Sequence, residues 1–243
     1  MVAQLIERRF GVPLHKSTVA RVLARLGLTP QRPARRAFAR DDDACRVWAQ
    51  EEFPQIVRAM KRRQSTLLFA DEAGVHEDGP VASTWGRRGQ TPVVGITGKR
   101  GRINVISAIS PRGRLWFRCY RGTLTAARFL SFLRALCRDV RGAIELIIDK
   151  HPAHIAKAVM RFLATQRTRL RVYFLPGYAP QLNPDEHVWA HLKGLFRRYP
   201  MARDENLASA VDASMTMIKD DRALVRGFFG HPEVAYVREA LGW

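Results

Sequence analysis

Acidic residues are scarce in this 243-residue chain, and over one long stretch they are missing altogether. Only 22 Asp and Glu stand against 41 Lys and Arg, a formal charge of +19. Between Gly79 and Arg138 there is no acid at all, while that interval holds a run of basic residues from Arg87 to Arg138. So large an excess repels itself in a compact fold unless a polyanion shares the surface, and nucleic acid is the usual polyanion. The acid-free stretch is therefore expected to lie against phosphates. Cysteine is equally sparse. Cys45, Cys119 and Cys137 form no C-x-x-C pair, which argues against a disulfide framework and a thiolate zinc site and fits a reducing compartment. No uncharged apolar run approaches the roughly 18 residues of a membrane helix. The segment Met1 to Phe10 carries Glu7, Arg8 and Arg9 where a signal peptide would be apolar. A cytoplasmic protein without membrane contact is expected.

What is present is enough apolar residue, 47%, for a buried core. Leu5 to Leu28 reads as two short helices around a Gly-containing turn. Leu5, Ile6 and Phe10 form the first stripe, and Val19, Val22, Leu23 and Leu26 the second, with Gly27 as the stop. This is helix-turn-helix order, also compatible with a plain helical hairpin, and it offers Lys16, Arg21 and Arg25 to DNA. Thr29 to Arg40 (TPQRPARRAFAR) reads as an extended basic linker in which Arg35 and Arg36 face phosphates. Asp41 to Met60 is expected to be helical, burying Val47, Trp48, Phe53 and Ile56.

From Ser65 onward the pattern is that of an α/β domain. Strands are expected over 66–70, 102–109, 114–120, 144–148 and 170–175, with the turn Ser110-Pro111-Arg112-Gly113 between the second and third. Helices are expected over 125–139, 153–166, 183–198 and in a tail carrying Leu207, Val211, Met215 and Ile218. That order implies a mixed five-stranded sheet flanked by helices. Three parts follow: a partial helix-turn-helix segment over 1–28, a basic linker and helix over 29–63, and an α/β domain with a helical tail over 64–243.

Three carboxylates stand out. Asp71 and Asp149 each follow an apolar strand, and a strand ending in an acid puts charge at the sheet rim, where open α/β sheets bind ligands. If the strands are neighbours, the two acids repel unless a divalent cation lies between them. Oxygen-only ligands suit Mg²⁺ or Mn²⁺, and two such ions about 3.5–4 Å apart activate a water and stabilise a leaving oxygen. Either Asp alone also fits a helix cap or turn. Glu186 follows Asn183, an expected N-cap, and Pro184, expected at the first helical position, so it also has a capping role open to it. Yet Glu186, Ala190, Lys193 and Arg197 form one helical stripe opposite Val188, Trp189, Leu192, Leu195 and Phe196. An acid followed by two cations along a stripe suits a metal ligand beside DNA.

The strings LLFADEAGV, LIIDKHPAH and LPGYAPQLNPDEHVWAHLK, in this order, resemble the three catalytic blocks of the mariner-superfamily DDE transposases, in their bacterial insertion-sequence branch. The 36 residues between Asp149 and Glu186 are close to that family's short second spacer, and the block LNP-x-E-x-x-W is the most specific. The likeness runs from about Phe10 to the end, through RFGV…STVARVLARLGL and WAQEEFP. It implies an RNase H-like core with Asp71, Asp149 and Glu186 as catalytic ligands of two Mg²⁺ or Mn²⁺ ions. It also implies cutting at terminal inverted repeats of double-stranded DNA, attack of the freed 3′-OH on target DNA, and a homo-oligomer assembled on DNA in the bacterial cytoplasm or on the nucleoid. His154 matches a His of the family, and it and Asn183 are candidate active-site supports. Lys150 stands where the family has Asn, and Asp185 where it has an apolar residue. The family also carries more DNA-binding helices upstream, so a truncated, inactive or domesticated DNA-binding derivative is the alternative.

Other signals carry less. His187 and His191 have zinc-ligand spacing, but Val188 occupies the place of the H-E-x-x-H glutamate. Gly95 to Arg100 mimics a phosphate loop poorly, with Val93 in place of its first Gly, so no nucleotide cofactor is expected. Trp85 beside Arg87 and Arg88 is expected to pack into a hairpin, with base stacking as the other option. Both arginines count among the expected DNA contacts, with Lys193 and Arg197.

Overall fold

In the computed structural model the described residues are 2–30, 40–96, 98, 101–199, 201 and 205–243. They fall into two compact units, Met1–Phe38 and Ala39–Trp243. In the first unit, α1 (Val2–Phe10) and α2 (Lys16–Arg25) are separate helices. His15 caps α2 by accepting the Ser17 N–H, and Gly27 adopts the positive φ (75°) that ends a helix in a left-handed turn. Val19 is buried here, whereas Leu5, Phe10, Val22 and Leu26, from the two apolar stripes, are exposed. Lys16, Arg21 and Arg25 are exposed on α2, whereas Arg35 and Arg36 lie outside the described residues.

The larger unit begins with a helix in three parts. α3 (Asp42–Val47), capped by Asp41, passes through a π-helical turn (Trp48–Glu52) into α4 (Phe53–Arg63). The expected single helix is thus widened at its centre by one turn of looser hydrogen bonding. The sheet follows: β1 (Thr66–His76), β2 (Arg102–Ser110), β3 (Arg114–Tyr120), β4 (Ile144–Ile148) and β5 (Leu170–Phe174), in the order β3-β2-β1-β4-β5. β2 pairs antiparallel with β1 and β3, and β4 pairs parallel with β1 and β5. This is the mixed five-stranded sheet that the pattern predicts. Gly113 closes the β2–β3 turn at φ +78°, where a Cβ would also run into the Arg222 carbonyl oxygen.

α5 (Ala126–Asp139), capped by Thr125, and α6 (Lys157–Thr165) cover one face. The other face is covered by α4, α7 (Glu186–Arg198), α8 (Leu207–Asp220) and the following α9 (Arg222–Gly227) and α10 (Ala235–Leu241). α6 starts at Lys157 rather than 153 because 151–155 fold as turns around Asp149, as described below. β1 alternates between two cores. Leu67 and Phe69 join Trp48, Phe53, Trp189 and Phe229, while Leu68 and Ala70 join Phe129, Leu133 and Leu136. Each buried aromatic contributes roughly 1.5–3 kcal/mol over an exposed one. By the same alternation Asp71 takes the Phe69 side and Glu72 the Ala70 side.

Candidate active site

Asp71 is not at a strand end. β1 runs five residues beyond it because β2 accompanies it throughout, with Asp71 opposite Ser107. What ends near Asp71 is the parallel pairing with β4, whose last pair is Phe69 with Ile147. Two residues on in each chain stand Asp71 and Asp149, so the register brings the two acids side by side where β4 stops. Glu186 arrives from the loop after β5, as the first residue of α7.

Asn183 anchors that loop. It is buried, its Nδ2 donates to the Ala70 carbonyl (3.0 Å), and its Oδ1 accepts the Asp185 N–H (3.1 Å). It therefore accepts an N–H of the turn that opens α7, as a cap does, and also clamps that turn to β1. The helix starts two residues after Pro184, with no side-chain cap bond from Asp185. Tyr178, exposed on the same loop, holds a left-handed φ of 55°. An open cleft of about 390 Å³ results, lined by Asp71, Asp149, Lys150, His151, Asn183, Glu186 and the 175–180 loop.

Each carboxylate is held differently. The indole N–H of buried Trp189 donates to Asp71 Oδ2 (3.0 Å). Burial, and after it the charges of Glu186, Asp185 and Glu72, push Asp71 well above the usual carboxylate range. Burial also raises Glu186, and Asp149 adds to this against the opposing pull of Lys193. At Asp149, burial pushes upward, but the hydrogen bond and charge of His154 and the backbone N–H of His151 outweigh it, so the carboxyl falls below its ordinary value. His154 Nδ1 and the His151 N–H reach the same oxygen, Oδ1, at 2.8 and 3.1 Å. His154 is buried on Asp149, not a surface helix residue.

The Asp185–Glu186 pair divides cleanly. Asp185 is fully buried, Ser107 Oγ lies 2.9 and 2.8 Å from its two oxygens and donates to them, and burial drives its carboxyl well above the normal range. Glu186 is the one that faces the cleft. The sequence reading did not single out two further acids: Glu72, next to Asp71 in this region, and Glu145, fully buried near the start of β4, at the end away from Asp149. Glu145 is paired with Arg63 and accepts from Ser65 Oγ and Tyr173 OH, both at 3.0 Å. A lone acid inside the apolar run IELII was the available signal.

Lys193 and Arg197 continue from Glu186 along α7 and, with Arg102, line an adjoining groove of about 340 Å³. Arg87 and Arg88 are exposed in the segment between β1 and β2, and Trp85 there is 99% exposed rather than packed into a hairpin. Lys99 and Arg100 lie outside the described residues. His187 stacks on His231 (3.7 Å) and His191 sits against Phe228, so the two do not form a metal pair with each other.

Three carboxylates on one cleft, two of them pushed up by burial and by other acids, fit a hard divalent cation, which would relieve that repulsion. No curated protein matches the sequence. Among solved structures, the Mos1 transposase paired-end complex with left transposon end is similar over 100% of this chain and 74% of its own, at TM-score 0.69 and 16% identity. The Mos1 strand transfer complex gives 99% and 72%, TM-score 0.69 and 16% identity. The Mos1 mariner paired-end complex with Mn gives 100% and 73%, TM-score 0.66 and 17% identity. At such identities the likeness establishes the fold, the RNase H-like one anticipated from the catalytic blocks. A winged helix-turn-helix family profile matches residues 1–52. The profile described as DDE superfamily endonuclease matches residues 66–208, more than half of the sequence. The chain belongs to the DDE superfamily of endonucleases.

Proposed function

We propose that this chain is a DNA transposase that hydrolyses phosphodiester bonds at transposon ends with a divalent cation and joins the freed 3′-OH to target DNA. The observation that carries the reading is the gathering of Asp71, Asp149 and Glu186 on one cleft in a chain otherwise so basic. These three would hold Mg²⁺ or Mn²⁺, two ions by the chemistry of phosphoryl transfer, and the ions would supply an activated water and charge neutralisation at the phosphate. The chain's own groups do the rest. Trp189 orients Asp71, His154 and the His151 N–H orient Asp149, and Asn183 fixes the loop that delivers Glu186.

The substrate is double-stranded DNA, both the terminal inverted repeats and the target. Lys193, Arg197, Arg87 and Arg88 contact its phosphates, and Lys16, Arg21 and Arg25 on α2 carry the helix-turn-helix contacts; Arg35 and Arg36 join them. The similar Mos1 structures are named for paired-end and strand-transfer complexes, which supports a homo-oligomer on DNA. The test is incubation with Mg²⁺ or Mn²⁺ and DNA bearing the element's terminal repeats. Metal-dependent nicking that vanishes in Asp149→Asn supports the proposal; tight binding without nicking would mark a DNA-binding derivative instead.

A further inference from the structure

Next to Asp149 lies a second group of ligand atoms. Among the described residues, Glu72, His151 and His154 bring a carboxylate and two imidazoles together with ligand atoms within 4.8 Å of one another. His154 is 1% exposed, its ring 4.3 Å from Phe129, on the sheet face that Glu72 shares and Asp71 does not. Its Nδ1 faces two acceptors, Asp149 Oδ1 at 2.8 Å and the Asp149 carbonyl at 3.2 Å. Nδ1 therefore carries the proton, and in the neutral ring Nε2 presents a lone pair. That Nε2 has no hydrogen-bond partner, and neither has Glu72 Oε2, although the two face each other at 3.6 Å.

Two buried acceptors pointed at one another call for a positive charge between them. A cation serves well: ligands bound tetrahedrally at about 2.0–2.2 Å stand roughly 3.3–3.6 Å apart along each edge. His151 Nε2 is 4.0 Å from Glu72 Oε1, and its ring is 38% exposed and able to turn. Ligation through Nε2 moves the His151 proton to Nδ1 and gives up the 3.2 Å contact from the Ala153 N–H.

We propose that Glu72, His151 and His154 form a site for one zinc-type transition ion, beside the carboxylate cleft and sharing His151 with its lining, with solvent in its fourth position. Imidazole donors select Zn²⁺, Co²⁺ or Ni²⁺ over Mg²⁺. Asp149 stands behind His154 as the carboxylate that orients a metal-binding histidine and raises its basicity. The ion would thereby fix the ring that holds Asp149, coupling the two sites through one hydrogen bond.

The test needs no DNA and no activity, so it stands apart from the transposase reading. The full chain carrying Asp71→Asn and Glu186→Gln, stripped with chelator, is titrated with Co²⁺ and its visible d–d absorption followed. One equivalent with the intense bands of a four- or five-coordinate imidazole site is expected, displaced by Zn²⁺ and not by excess Mg²⁺. The bands should vanish when Glu72→Gln or His151→Ala is added, with thermal melts confirming that these variants fold. Absence of the bands, their survival in both additional variants, or displacement by Mg²⁺ would overturn the proposal. So would nitrogen NMR of the Zn²⁺-treated protein showing His154 protonated on both nitrogens.

Discussion

Trp189→Phe isolates a single hydrogen bond in the cleft. Trp189 is 2% exposed and packs in the core beneath α7, while its indole N–H reaches Asp71 Oδ2 at 3.0 Å. Phe keeps an aromatic ring in that core and removes the donor. A hydrogen bond to a charged group contributes about 1.5–3 kcal/mol. If Asp71 binds metal, loss of its orienting donor should weaken that binding roughly 10- to 100-fold. The smaller ring also leaves a gap costing on the order of 1–2 kcal/mol, a fall in Tm of roughly 2–8 °C for a chain of this size. The assay is single-turnover nicking of end DNA across a Mn²⁺ titration, with a melt recorded for each variant. The half-saturating metal concentration should rise by that factor, and the rate at saturating metal should return close to wild type. A variant that melts normally yet shows an unmoved metal requirement refutes the reasoning, and so does one that high metal cannot rescue.

Four further outcomes follow from contacts elsewhere in the domain. Asp185→Asn should leave nicking near wild type, and Glu186→Gln should abolish it, because only Glu186 opens on the cleft. The raised Asp185 pKa means the folded protein keeps a proton that the unfolded chain releases. Its contribution to stability is therefore full below 3.8, the ordinary value of an Asp carboxyl, and is lost as pH rises through the folded value. Melts of Asp185→Asn against wild type should then show an advantage for the variant that grows with pH, and an advantage growing toward acid contradicts the assignment. Arg63→Ala, which strands the buried Glu145 carboxylate, should cost about 3–5 kcal/mol in urea unfolding; Glu145→Leu with Arg63→Met should recover most of it. Gly113→Ala should lose at least about 1–2 kcal/mol from its positive φ alone, and an unchanged Tm would show that the turn adjusts freely.

The strands, their order along the chain and the three cleft carboxylates were legible because each rests on local pattern: period-two burial, turn residues, an acid at the end of an apolar run for Asp71 and Asp149, and a helical stripe with the LNP-x-E-x-x-W block for Glu186. What was not legible depends on partners distant in sequence. β1 continues past Asp71 because β2, thirty-odd residues later, supplies its hydrogen bonds. Asn183 reads as a helix cap, and its second role, as a clamp, shows only when Ala70 stands beside it. The block LNP-x-E-x-x-W favours Glu186 over Asp185, but which of the two turns inward shows only when Ser107 takes Asp185 into the core. His154 is buried because the 151–155 turns fold its ring back onto Asp149 and Phe129, which no helical period announces. Charge patterning points to DNA, but it does not show that the acid-free stretch would leave Trp85 exposed.

The central claim is that Asp71, Asp149 and Glu186 together cut DNA. Its most direct test is cleavage of terminal-repeat DNA by wild type, Asp71→Asn, Asp149→Asn and Glu186→Gln, each with and without Mn²⁺, with equal DNA binding verified for all four. The account predicts nicking by wild type in Mn²⁺ alone, and none by any of the three variants. Metal-independent nicking, or nicking that persists in any one of them, would contradict it.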